Sequence, residues 1–197
     1  MVGRGEEESM EPHVCPVWIG YLLVSPLRRL LEPVDRVFGD HLGPGNTVLD
    51  VGCAMGYFTL PSARRVGPGG RVVAVDLQPR MLESLGRRAR RAGLADRIET
   101  RACTPDTLGL SDLVGSVDVA LAIHVVHEAP DGAMLMREVH AALRPGGVFV
   151  VGEPKGHVDE AMFEETLAWG TDSGFEIIQR RDSRRGRYAT FQRPVND

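Results

Sequence analysis

Thr47-Val-Leu-Asp-Val-Gly-Cys-Ala-Met-Gly-Tyr-Phe-Thr59 is the stretch on which the reading of this chain turns. Val48, Leu49 and Val51 make a short apolar run of strand length. Gly52 to Gly56 then turn the chain into an amphipathic segment, Tyr57 to Val66, that reads as a helix ended by Gly67-Pro-Gly-Gly70. Strand, tight turn and helix are the building unit of an open α/β sheet, whose ligands sit beyond the carboxyl ends of the strands. Asp50 lies near that end, and glycines at 52 and 56 let backbone approach a bound molecule with no Cβ between them.

What the turn lacks narrows the ligand. A dinucleotide site spaces its glycines G-x-G-x-x-G, so that pyrophosphate rests on the helix amino end. Here the spacing is Asp50-x-Gly52-x-Ala54-x-Gly56, headed by a carboxylate that repels phosphate and attracts an ammonium group. The next strand, Arg71-Val-Val-Ala-Val-Asp76, ends in a second acid, which can accept hydrogen bonds from both hydroxyls of a ribose. A ligand with an amine and a ribose but no phosphate fits S-adenosylmethionine, and a nicotinamide dinucleotide, which requires the absent glycine spacing, is the least favoured reading.

The segments beyond repeat the alternation. Gln78-Pro79 opens a helix with Met81, Leu82, Leu85, Ala89 and Ala92 on one side, closed by Gly93. Ile98–Ala102 and Val117–Ile123 read as strands, with a poorly patterned stretch around Asp106 between them. Asp131 caps a helix through Leu143, Val148–Glu153 is the next strand, and Asp159 caps a helix to Ser173. Phe175–Gln179 and Arg187–Phe191 form a closing hairpin. On these residues the chain resembles the class I S-adenosylmethionine-dependent methyltransferases, and among them the small single-domain ubiquinone/menaquinone C-methyltransferase-like group. Their first motif is D/E-x-G-x-G-x-G, with Ala54 here in place of the middle glycine. The run His124-Val-Val-His-Glu-Ala-Pro-Asp131 and the turn Arg144-Pro-Gly-Gly147 also match, and the resemblance spans about residues 40–193.

The resemblance implies an α/β, three-layer Rossmann-like sandwich with a seven-stranded, mostly parallel sheet, the last strand antiparallel, and an N-terminal helical cap. It implies S-adenosyl-L-methionine as cofactor, held by Asp50, Gly52, Cys53, Ala54, Met55, Gly56, Asp76, Leu77, Met81, Thr104, Ile123 and His124. Thr104 stands where many members carry an acid for the adenine amino group, so adenine falls to Thr104 or to backbone.

Methyl transfer from a sulfonium needs a nucleophile held in line and water excluded; a base is needed only if the acceptor arrives protonated. Candidates at strand ends are His124, His127 and Glu128, then Glu153, Lys155 and His157. Glu153 is the first expectation for contact with substrate, and His124 and His127 are the expected base candidates; each of the three also has a purely structural reading. No spacing fixes a metal site. Cys15, Cys53 and Cys103 leave open a thiolate site for a metalloid or thiophilic metal. A scaffold that binds the cofactor without chemistry is the remaining alternative.

The chain has 197 residues, 43% of them hydrophobic, which suits one domain with a real core. A formal net charge of -4 disfavours nucleic acid, and the arginine face at 87, 88, 90 and 91 reads as a solvated helix surface. Glutamates at 6, 7, 8 and 11 occupy the place of a signal's positive charge, and the apolar run Val14 to Val24 is too short to span a bilayer. With three unpaired cysteines the expected compartment is the cytoplasm. Residues 1–12 are expected to be disordered, 13–42 a helical cap or lid, and 43–197 the cofactor-binding domain. Trp18, Ile19 and Leu22 in the cap favour a homodimer if exposed. The expected acceptor is a small molecule, since no appended module grips a macromolecule.

Overall fold

The computed structural model describes residues 34–196. The expected disorder at 1–12, most of the cap at 13–42, Cys15 and the proposed dimer contact at Trp18, Ile19 and Leu22 lie outside the described residues.

Seven strands form one sheet: β1 (Thr47–Val51), β2 (Arg71–Asp76), β3 (Ile98–Ala102), β4 (Val117–Ile123), β5 (Leu143–Pro154), β6 (Glu176–Asp182) and β7 (Gly186–Gln192), in the order β3-β2-β1-β4-β5-β7-β6. β1, β2, β3, β4 and β5 pair in parallel, while β7 enters antiparallel between β5 and β6. The helices are α1 (Val34–Phe38), α2 (Thr59–Val66), α3 (Pro79–Arg91), α4 (Gly132–Ala142) and α5 (Glu160–Asp172).

The central strands are apolar at nearly every position because both faces are covered. Alternate residues go to opposite layers: Val72, Ala74, Leu121 and Val150 pack with Leu60, Ala63, Leu82 and Leu85 from α2 and α3. Val73, Val75, Ala120 and Phe149 pack with Leu135, Val139, Phe163 and Leu167 from α4 and α5. α1 joins the first layer, with the Phe38 ring edge-on to Phe58 at 6.1 Å between centroids. Among the described residues no helix is long and apolar enough to cross a membrane.

Boundaries shift where a local rule competes. The helix expected from Tyr57 begins at Thr59, because Gly56 is still turning at φ +86° and Tyr57 and Phe58 complete the turn. Arg144-Pro-Gly-Gly147 is not a free turn before the strand. Leu143 already pairs with Val117, and the register shifts between Val117 and Val119. Pro145 lacks an N–H and Gly146 sits at φ +75°, so the run is absorbed as a bulge. Between β3 and β4 only a 3-10 turn at Ser111–Leu113 forms. The caps expected at Asp131 and Asp159 are present, each side chain accepting the backbone N–H three residues on.

Candidate functional site

The strand order reverses between β1 and β4, and their loops diverge there, leaving a crevice at the carboxyl end of the sheet. On the β1 side, Gly52 and Cys53 donate their backbone N–H groups to Val75 O at 2.8 and 3.0 Å, and Ala54 N–H donates to Asp76 Oδ2 at 2.8 Å. Asp76 Oδ1 accepts Gln78 N–H at 2.8 Å. One carboxylate thus pins the glycine turn to the end of β2. Burial raises its pKa, and the two backbone donors work against that rise.

On the β4 side, His124 donates its backbone N–H to Gly152 O at 2.7 Å with φ +62°. Ala54, at φ +46°, and His124 are the non-glycine residues with positive φ among those described, and they flank the crevice from either side. Such backbone costs of order 1–3 kcal/mol per residue and persists only where the surroundings fix it. Val125 closes the gap: a Cβ built on Gly52 would meet its Cγ2 at 2.3 Å, which is why residue 52 is glycine.

Asp50 does not lie open in the crevice. It is buried, and Thr59 Oγ1 donates to its Oδ2 at 2.5 Å. Burial pushes its pKa up to about 7; the Thr59 hydroxyl pulls it down and the Asp76 charge adds to the rise. The folded value exceeds the ordinary 3.8, so the folded state holds the extra proton between pH 4 and 7. Stability from this group is therefore full below about pH 4 and is lost as pH rises to about 7, by on the order of 4 kcal/mol in total. Urea unfolding of wild type and Asp50→Asn should give a difference in stability that changes across this window and is flat above it; a constant difference contradicts the assignment.

Met55 has no exposed surface, and its carbonyl accepts the Arg88 guanidinium. Cys53 and Met81 are buried, and Ile123 is nearly so at 7% exposure. Gly52, Ala54, Leu77 and His124 keep partial exposure, and Thr104 is exposed in a tight pairing with Thr107. Cys103 N–H donates to Asp76 O at 3.1 Å, which brings the end of β3 to the same rim.

The six strand-end candidates separate. Lys155 is drawn away to Asp182 at 2.7 Å. Glu153, expected to touch substrate, is fully buried. His127 contacts both its oxygens, the backbone N–H donating to Oε1 at 3.2 Å and Nδ1 lying 2.5 Å from Oε2. Glu153 thus has no exposed surface, and both of its oxygens are engaged by His127. His157 stands edge-on to His127, with ring centroids 6.0 Å apart. Sequence reasoning missed Thr59 as the partner of Asp50 and Val125 as the wall of the turn; the Glu153 to His127 pairing joins two strand ends 26 residues apart and left no local signal. Among the described residues no group of three or more His, Cys, Asp or Glu side chains is placed to hold a metal ion.

Residues 42–185 match the family described as a methyltransferase domain. The chain is 32% identical over 132 residues to an arsenite methyltransferase of Halobacterium salinarum, covering 67% of this chain and 32% of that protein. It is 36% identical over 132 residues to a ubiquinone biosynthesis O-methyltransferase of Methylocella silvestris, covering 64% and 49%. The chain spans roughly a third to a half of the length of the curated relatives it matches. Its fold is that of a SAM dependent methyltransferase from Aquifex aeolicus, with a TM-score of 0.80 at 19% identity over 91% of this chain and 100% of that one. With the pinned glycine turn, the acid ending β2 and the inserted antiparallel β7, these matches place the chain in the methyltransferase domain family, among the class I S-adenosylmethionine-dependent methyltransferases.

Proposed function

We propose that this chain transfers a methyl group from S-adenosylmethionine to a small organic acceptor. The observation that carries the reading is the turn Gly52–Gly56, with positive φ at residues 52, 54 and 56 and pinned by Asp76 beside the reversal of strand order. The residues present fit the cofactor. Asp76 offers carboxylate oxygens to ribose hydroxyls, and Gly52 and Ala54 present backbone to the amino-acid portion. Asp50, buried beneath the turn with its pKa pushed up to about 7, favours a cation above it in its ionised form. When bound, the cofactor supplies a methyl group already activated on a sulfonium. The protein's part is to hold the acceptor in line and exclude water. Residues from Gly43 onward form the cofactor-binding domain, and α1 packs against its first layer.

Thermal melting tests this. S-adenosylhomocysteine at about one hundred times its Kd should raise the Tm by roughly 5–10 °C. No rise at millimolar ligand contradicts the reading.

A second reading, thiolate-assisted methylation of a metalloid, is favoured by the arsenite methyltransferase relative. Against it, burial followed by the charges of Asp50 and Asp76 raises the Cys53 pKa well above the ordinary value, and burial with the Asp76 charge raises that of Cys103. Both are kept as thiols, whereas soft metal binding uses thiolates. Arsenite binding that Cys103→Ser abolishes would reinstate it.

A further inference from the structure

We propose that His127, backed by Glu153, takes a proton from the acceptor, and that the acceptor is a neutral small molecule methylated on a weakly acidic hydroxyl of phenol or enol type. This rests on the transferase reading above and names its substrate class.

The geometry is that of a carboxylate holding an imidazole. Two donors of one residue converge on Glu153, the backbone N–H of His127 at 3.2 Å and its Nδ1 at 2.5 Å. A buried carboxylate with two donors aimed at it accepts from both, so Nδ1 carries the hydrogen and the lone pair of the neutral ring is left on Nε2. That nitrogen is on the far edge of a side chain still 11% exposed, whereas Glu153 is 0% exposed. The ring belongs to the 124–128 segment, whose Val125 packs over Gly52 at the crevice where the methyl donor is proposed to lie.

The charged and titratable groups facing His127 are Glu153 from β5, Glu128 with Oε1 3.9 Å from Nε2, and His157 edge-on from the following loop. Burial lowers the His127 pKa, but the Glu153 hydrogen bond and the charges of Glu153 and Glu128 outweigh it, and the net direction is upward. Burial also raises the Glu128 pKa, with His127 pulling it down and the Glu153 charge adding to the rise. This surrounding stabilises an imidazolium once formed and repels an acceptor that arrives as an anion.

The acceptor class follows from matching acidities. A neutral amine attacks through its free lone pair and needs no base beforehand. An alkyl alcohol is about as weak an acid as water, beyond the reach of an imidazole. A phenol or enol, with a pKa of about 10 for the phenol, lies within a few units of a histidine. In the transfer, Nε2 takes the hydroxyl proton and the O–H bonding pair stays on oxygen. The acceptor oxygen forms the new bond to the methyl carbon while the carbon–sulfur pair returns to sulfur, leaving a neutral thioether. The imidazolium then releases its proton to water, and charge and atoms balance.

Nitrogen-resolved imidazole NMR on wild type and Glu153→Gln, with S-adenosylhomocysteine calorimetry on both and on His127→Gln, tests the pair. Neutral His127 should carry its hydrogen on Nδ1, with a pKa above the ordinary 6.5, and Glu153→Gln should lower that pKa. Both variants should bind S-adenosylhomocysteine within about twofold of wild type. Given a cofactor with an isotope-labelled methyl group and an extract of cell metabolites, wild type should form a methyl ether carrying the label in its methyl group. His127→Gln should cut the rate at neutral pH by roughly 10²–10⁴, and Glu153→Gln should shift the acidic limb of the pH profile downward, an effect that loss of packing alone would not give. If His127→Gln fails to fold, the Glu153→Gln profile decides. A hydrogen on Nε2, an unchanged pKa in Glu153→Gln, a methyl found on nitrogen or carbon, or a wild type that binds S-adenosylhomocysteine yet labels nothing overturns the proposal. A wild type that does not bind S-adenosylhomocysteine overturns the transferase reading instead, which keeps the two failures apart.

Discussion

Gly52→Ala is expected to destabilise the fold by about 3 kcal/mol and to abolish cofactor binding. Residue 52 sits at φ +66°, where a side chain is strained whatever the space, and the added Cβ would lie 2.3 Å from Val125 Cγ2 and 2.8 Å from Cγ1. Rotating Val125 exchanges one methyl for another and cannot clear Val125 Cβ at 3.1 Å. The 124–128 segment must therefore move, and it carries His124 and His127. Chemical unfolding should show the loss, and Val125→Ala in the same chain should restore the clash part but not the backbone part. Gly52→Ala with wild-type stability would mean that the two loops are not packed as described.

Asp76→Ala separates binding from stability. In the absence of ligand this acid accepts two backbone hydrogen bonds while burial raises its pKa, so the costs of removing it and of keeping it charged partly cancel. Stability should change by about 1 kcal/mol or less. The ribose loses a charged acceptor, and the turn that faces the cofactor loses its pin at Ala54. Two hydrogen bonds to a charged group amount to about 3–5 kcal/mol, so calorimetry should show S-adenosylhomocysteine binding weakened by roughly 10²–10³-fold. A variant that binds as well as wild type would remove Asp76 from the site.

Much of this architecture is legible because its signals are local. Val72 to Val75 and Val119 to Ile123 are apolar throughout since both faces are covered, and the expected strands Arg71–Asp76 and Val117–Ile123 agree with β2 and β4. Asp131 and Asp159 announce the starts of α4 and α5 through contacts three residues away. Contacts between residues distant in sequence leave no such local signal. Asp50 stands at the head of the expected cofactor motif, and the structure buries it under the turn, where Thr59, nine positions on, donates a hydroxyl to it. Ala54 reads as a small substitute for glycine, yet it is held at positive φ by a carboxylate 22 residues away. Glu153 stands at a strand end, where contact with substrate is the expectation; the approach of the loop after β4 pairs it with His127. Sequence periodicity carries which face is buried, not which two loop ends meet.

The most direct test is a crystal structure of the full chain with S-adenosylhomocysteine. The account predicts the ribose hydroxyls on Asp76, the amino-acid portion along Gly52–Gly56 above Asp50, and the sulfur facing the His127 edge of the crevice. An empty crevice, or a nucleoside bound away from Asp76, would contradict it.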